Sequence, residues 1–169
     1  MSPSRSFLIR LLYFGLSLAL FGMDRATKTL VLRRLSLHES VPVVNGFFHL
    51  THVANTGALF GLLAGIASPL RGLIFITVPV LAIVLILFFQ FRSKEGDLLT
   101  QIGLSLILGG ALGNLYDRVR YGHVVDFLDF SVAGYHWPAF NIADSCICLG
   151  VFTLVLDLYR REQSPAPAS

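Results

Sequence analysis

The chain has 169 residues and a formal net charge of +3. Only 14% of its residues are charged, against roughly 25% in soluble proteins, and its mean hydropathy is +0.71. So little charge cannot cover a water-facing surface, and the basic residues form no dense patch interleaved with aromatics, which argues against a soluble globule and against a nucleic-acid-binding protein.

The first apolar run covers about residues 7–23, and the helix it predicts continues past Asp24 and Lys28 to about residue 34. Arg5 and Arg10 precede it as they would in a secretory signal, but no small-x-small cleavage site follows. A retained membrane helix is expected. Residues 38–69 are different in kind. Val41-Pro42-Val43-Val44, then Asn45-Gly46, then Phe47-Phe48-His49-Leu50-Thr51 predict a β-hairpin closed by a type I′ turn. Residues 61–70 are mildly apolar and too short to span, which predicts an interfacial helix.

The second run carries no charge from 72 to 91 and predicts a helix over about 70–91, long enough to cross ~30 Å of hydrocarbon even with Pro79 inside it. The third helix is expected over 98–118. The connection that follows, to about residue 137, holds Tyr121, Tyr135 and Trp137 and suits an interfacial aromatic belt, with His123 and His136 in the same zone. The fourth helix is expected over 138–159, with Asp144 as the one charge before residue 157. Cys146 and Cys148 lie in it two positions apart, point to different sides and should not pair with each other. A Pro-rich polar tail, about 162–169, is expected to be disordered. The whole reads as one integral membrane domain over 1–169: an all-α membrane protein of four transmembrane helices, with a small extracytoplasmic β-sheet and an interfacial helix.

Successive membrane helices alternate in direction. The end of helix one, the end of helix three and the start of helix four therefore share a face with both of the connections that carry Asn55 and Asp126. That single face collects Asp24, Lys28, Asn55, Asn114, Asp117, Arg118, Asp126, Asn141 and Asp144. Asp24 and Lys28, like Asn114 and Arg118, are spaced i, i+4 and lie on one helical face; Asn141 and Asp144 are i, i+3. Basic residues divide about evenly between the two faces, so the positive-inside rule alone does not orient the chain. Cytoplasmic termini are favoured, because several cations on the other face look recruited to a site.

Carboxylates near hydrocarbon cost roughly 2.5–3.5 kcal/mol each on insertion scales and are rarely idle. Asp126 and Asp144, brought to one face, suggest a dyad that shares a proton and activates a water. Ser105 as a protease nucleophile is disfavoured, since no His lies in an apolar run to serve it. A proton or ion transporter would place charge near mid-membrane and show internal repeats; here the charge clusters at one end. No metal-ligand spacing is visible, and neither metal nor cofactor is expected.

Five boxes occur in order: Asp24-Arg25-Ala26-Thr27-Lys28, Asn55-Thr56-Gly57-Ala58, Gly110 to Arg118, Gly122-His123-Val124-Val125-Asp126-Phe127, and Phe140-Asn141-Ile142-Ala143-Asp144. Together they resemble the bacterial lipoprotein signal peptidases, also called type II signal peptidases. The resemblance implies a monomeric aspartic endopeptidase of the bacterial inner membrane. Its substrates would be prolipoproteins bearing a diacylglyceryl cysteine, met among the membrane lipids and cut on the N-terminal side of that cysteine, and globomycin-type compounds would inhibit it. It implies Asp126 and Asp144 as the catalytic pair, with Asp24, Lys28, Asn55, Gly57, Asn114, Asp117, Arg118 and Asn141 supporting them or the substrate.

Overall fold

The structure is a computed structural model that describes residues 3–57, 68–94 and 96–163, with side chains from 7 and from 72 in the first two helices. The expected interfacial helix and the end of the tail lie outside the described residues, apart from the start of the second helix. Eight elements follow one another: α1 Pro3–Arg34, β1 Ser40–Val44, β2 Phe48–Asn55, α2 Ser68–Arg92, α3 Leu98–Tyr121, β3 Val124–Val132, β4 Tyr135–His136 and α4 Ile142–Gln163.

The four helices each contain a segment long and apolar enough to cross a membrane. Their outer faces expose large apolar side chains such as Leu12, Leu18, Phe88 and Phe152, an arrangement stable in lipid and not in water. The chain is a multi-pass membrane protein. Helix α3 is the central one: 56% of its apolar window is buried, against 11% for α1 and for α2. It packs on all three other helices. Against α4 the backbones nearly touch, because a Cβ on Gly150 would lie 2.7 Å from the Gly103 carbonyl oxygen. Lipid supplies no hydrophobic drive between helices, so small residues that admit such close approach do the packing instead.

The strands form one antiparallel sheet in the order β1-β2-β3-β4 at one end of the bundle. The sequence suggested its first hairpin only. The connection between α3 and α4, read as an aromatic belt, is in fact a nine-residue strand and a short return. β3 escaped notice because both of its faces mix apolar residues with a carboxylate, so the alternation that marks a half-exposed strand is missing. The turn chemistry differs as well. Gly46 has φ 71 but Asn45 does not have positive φ, and the Phe47 amide donates to the Val44 carbonyl at 3.0 Å. Positive φ at the second central position alone excludes the expected type I′ turn and matches type II. The pair with positive φ at both central positions is Ala133 (51) and Gly134 (82), which joins β3 to β4.

A cluster of Val31, Val125 and Phe127, with Leu35, Leu50 and Ile142 packed on it, fixes the sheet to the end of α1. After β4 the chain stays on the sheet: the Trp137 amide donates to Phe130 O (2.7 Å) and Phe140 exchanges hydrogen bonds with Leu128. Helix α4 therefore begins at Ile142 rather than near Pro138, and Asp144 lies in its first turn rather than well inside it.

Candidate active site

Asn-Ile-Ala-Asp, residues 141–144, is the local sequence from which the site is built. Asn141 is the N-cap of α4, and its Oδ1 accepts the Asp144 amide at 2.9 Å. Asp144 Oδ2 accepts the Asn141 amide in return, at 3.2 Å. This reciprocal pair is a capping box, and it satisfies two helix-end donors that would otherwise be unpaired. The box leaves Asn141 Nδ2 free to donate to Asp126 Oδ1, at 2.6 Å. One fully buried asparagine thus touches both aspartates. The Phe140–Leu128 bridge makes this possible, because it delivers residue 141 beside the strand position of Asp126.

Asp126 is 2% exposed and Asp144 half-buried. The other oxygen of Asp126, Oδ2, accepts Asn55 Nδ2 at 2.8 Å. Asn55 uses both ends of its amide, since its Oδ1 accepts the Gly57 amide at 3.0 Å; the turn-forming and the polar-contact roles coexist. Burial pushes the Asp126 carboxyl up to about 6. The Asn55 bond opposes that shift, the Asp144 charge adds to it, and Asn141 and Lys28 oppose it more weakly.

Asp144 Oδ1 accepts Asn114 Nδ2 at 2.7 Å, and Asn114 Oδ1 accepts from Lys28 Nζ at 3.0 Å. Lys28 is wholly buried, and its ammonium is also 2.9 Å from Asp24 and 2.8 Å from Asp117. Three donors meet three acceptors, as a buried ammonium requires. Asp24 in turn accepts the Ala143 amide at 3.0 Å, a third satisfied donor at the start of α4. Asp117 accepts the Val125 amide at 3.2 Å and pairs with Arg25. Gly113 belongs to this layer, for a Cβ there would stand 2.5 Å from Asp24 Oδ2.

The aspartates open on a cleft of ≈ 380 Å³. Its polar wall includes Asn55, Gly57, Asn114 and Arg118; its apolar wall runs from Val78, Pro79 and Ile86 across to Ile107, Ile147 and Trp137. Arg118 also stacks over Phe75 at 5.3 Å. All ten residues singled out from the sequence gather here, in two layers. Asp24, Lys28 and Asp117 form a buried ionic layer behind the cleft, and the other seven line it or brace its carboxylates. Arg25 was missed as a member of the site. It pairs with Asp117 and lies 4.3 Å over the Tyr116 ring. Its position next to Asp24, in the same charged turn, was the available signal.

Comparison with known proteins gives the family. The family model described as signal peptidase (SPase) II matches residues 16–160. The lipoprotein signal peptidase of Syntrophus aciditrophicus is 48% identical over 141 residues, covering 83% of this chain and 88% of that protein. The one from Geobacter sulfurreducens is 45% identical over 145 residues, covering 86% and 89%. A bacterial membrane enzyme solved by the in meso method at 2.3 Å superposes with a TM-score of 0.78 at 28% identity, covering 99% of this chain and 94% of that one. A second, solved at 1.9 Å, gives 0.72 at 30% identity, covering 92% and 93%. The chain belongs to the signal peptidase II family.

Proposed function

We propose that this chain is an aspartic endopeptidase that removes signal peptides from diacylglyceryl-modified prolipoproteins, cutting on the N-terminal side of the lipidated cysteine. The observation that carries the reading is the Asn141 bridge: two carboxylates from different elements held by one capping asparagine at the mouth of a largely apolar cleft. The polar wall suits a peptide backbone. The apolar wall suits acyl chains and a signal helix, at about 0.8 kcal/mol per buried CH₂.

In the reaction, a water held between the carboxylates attacks the scissile carbonyl carbon. Burial favours the proton on Asp126, so Asp126 donates to the carbonyl oxygen while Asp144 takes the proton of the water. The tetrahedral species then collapses. The C–N bond breaks, the proton on Asp144 passes to the leaving amine of the cysteine, and a hydroxyl of the tetrahedral carbon returns its proton to Asp126, so both carboxyls regain their starting states. Asn141, Asn55 and Asn114 hold the two carboxylates in register, and Arg118 offers a charge to the substrate backbone.

The same reading places the enzyme in the bacterial inner membrane as a monomer, with cytoplasmic termini, the sheet and cleft at the periplasmic face and globomycin-type inhibitors in the cleft. The ion pairs of half-buried Arg25 and buried Lys28 support this orientation, since they remove both from the positive-inside count of the sheet end.

A gel-shift assay with a lipidated prolipoprotein tests the proposal. Asp126→Asn and Asp144→Asn should each abolish processing while the protein still inserts, and globomycin should block the wild type. Near-normal cleavage by either variant would remove the dyad from the mechanism.

A further inference from the structure

We propose that the sheet carries a transition-metal site, of the Zn²⁺ class, formed by His49, Asp129 and His136. The three come from three neighbouring strands. His49 of β2 sits opposite Asp129 of β3 in the antiparallel register, and His136 of β4 sits opposite Ser131, two positions along the same face. Strand alternation sends the three side chains to one side. One donor atom from each lies within 4.8 Å of the others. His136 Nδ1 is 2.9 Å from both oxygens of Asp129, and the two imidazole rings are 5.7 Å apart. Nδ1 of His49 is shielded from solvent and has no hydrogen-bond partner among the described residues.

The donor set decides the class of ion. Two imidazoles and one carboxylate suit Zn²⁺, Co²⁺ or Ni²⁺ and are poor for Mg²⁺ or Ca²⁺, which take oxygen ligands. Tetrahedral bonds of ~2.0–2.1 Å put donors about 3.4 Å apart. The Asp129–His136 pair is already closer than that, and His49 has only a short distance to close. The side chain of His136 is 55% exposed, which gives the ion an entry path and leaves a coordination position for water.

Spacing along the chain hid this site, because its members lie at 49, 129 and 136. It is separate from the carboxylate pair: Asp126 and Asp129 differ by an odd number of positions in β3 and fall on opposite faces of the strand. An ion there would pin β4 to β2 and β3 just before Trp137 and Phe140, which wall the cleft. The inference rests on these residues alone and does not depend on the proposed reaction.

The test uses the full chain, purified in detergent without a polyhistidine tag and stripped with a chelator. Titration with ZnCl₂ should show one saturable site per chain, tighter than about 10 µM. CoCl₂ should give visible d–d absorption, and ZnCl₂ should raise the Tm. His136→Ala, at an exposed position, should weaken Zn²⁺ binding about tenfold or more and abolish the Co²⁺ bands; His49→Gln should do the same. Asp126→Asn should bind Zn²⁺ like wild type. Binding no tighter than about 100 µM, or binding that persists in both histidine variants, would overturn the site.

Discussion

Asn141 joins a structural duty to a chemical one, and substitutions can separate the two. Asn141→Ala removes the cap acceptor for the Asp144 amide and the donor to Asp126. Loss of an N-cap costs about 1 kcal/mol, which lowers the Tm of a chain this size by roughly 2–4 °C. In the proposed reaction Asp126 becomes anionic as it gives up its proton, and a hydrogen bond to a charged group is worth about 1.5–3 kcal/mol, so kcat/KM should fall about 10- to 100-fold if Asn141 stabilises that charge. Asn141→Ser keeps a capping oxygen but is too short to reach Asp126. It should recover most of the Tm and little of the activity. Thermal unfolding in detergent and initial rates on a lipidated prolipoprotein read the two quantities independently. If Asn141→Ser regained full activity along with stability, the side-chain bond to Asp126 would have no part in catalysis, and Asn141 would be a cap only.

The raised Asp126 carboxyl has a stability signature. The native state binds more protons than the unfolded chain between pH 3.8 and about 6, so the stability linked to that proton is present at low pH and is lost as pH rises through about 6. It is worth on the order of 3 kcal/mol, and Asp126→Asn should flatten the Tm-versus-pH profile across that window; an unchanged slope would contradict the assignment. Asn55→Ala removes a bond that stabilises the charged form, so the alkaline limb of kcat/KM should move to higher pH by about one unit. A limb that stays put or moves down would count against it. Lys28→Met leaves Asp24 buried without its cation and should cost about 3–5 kcal/mol; a thermal shift close to zero would refute the ionic layer. Gly113→Ala presses a methyl group on the Asp24 carboxylate and should destabilise by about 1–3 kcal/mol. Gly22→Ala, with nothing within 4 Å of the new carbon, is the control and should leave the Tm unchanged or slightly higher.

The helices were legible in the sequence because an uncharged run is a sufficient condition for crossing hydrocarbon, and alternating direction then forces the helix ends together. That reasoning gathered Asp24, Lys28, Asn114, Asp117 and Asp144 without any knowledge of packing. Strand β3 was not legible. Its pairing with β2 joins residues about 69 to 82 positions apart, and no local pattern encodes so distant a partner when apolar and polar residues do not alternate along the strand. The start of α4 was misjudged for a related reason. Trp137 to Phe140 are apolar enough to extend a helix, but their backbone is already committed to the sheet. The error mattered, because it hid the capping box that gives Asn141 and Asp144 their relation.

The charges packed around the cleft bear on why the proposed dyad would hold a single proton. Arg25, Lys28 and Arg118 supply three positive charges, and Asp24, Asp117, Asp126 and Asp144 supply four negative ones when all are ionised. Asp24 and Asp117 are each tied to a cation and to a backbone amide of α4 or β3, so protonating either would break contacts that hold the fold together. Among the described residues, Asp126 and Asp144 receive amide donors from asparagines and backbone, which a singly protonated pair can keep. One proton on the pair brings the group to neutrality in a region where uncompensated charge is expensive. The ionic layer behind the cleft therefore does more than support it. It ties Asp24 and Asp117 to cations and backbone amides, and in the proposed reaction it leaves the one mobile proton to the two carboxylates on the cleft.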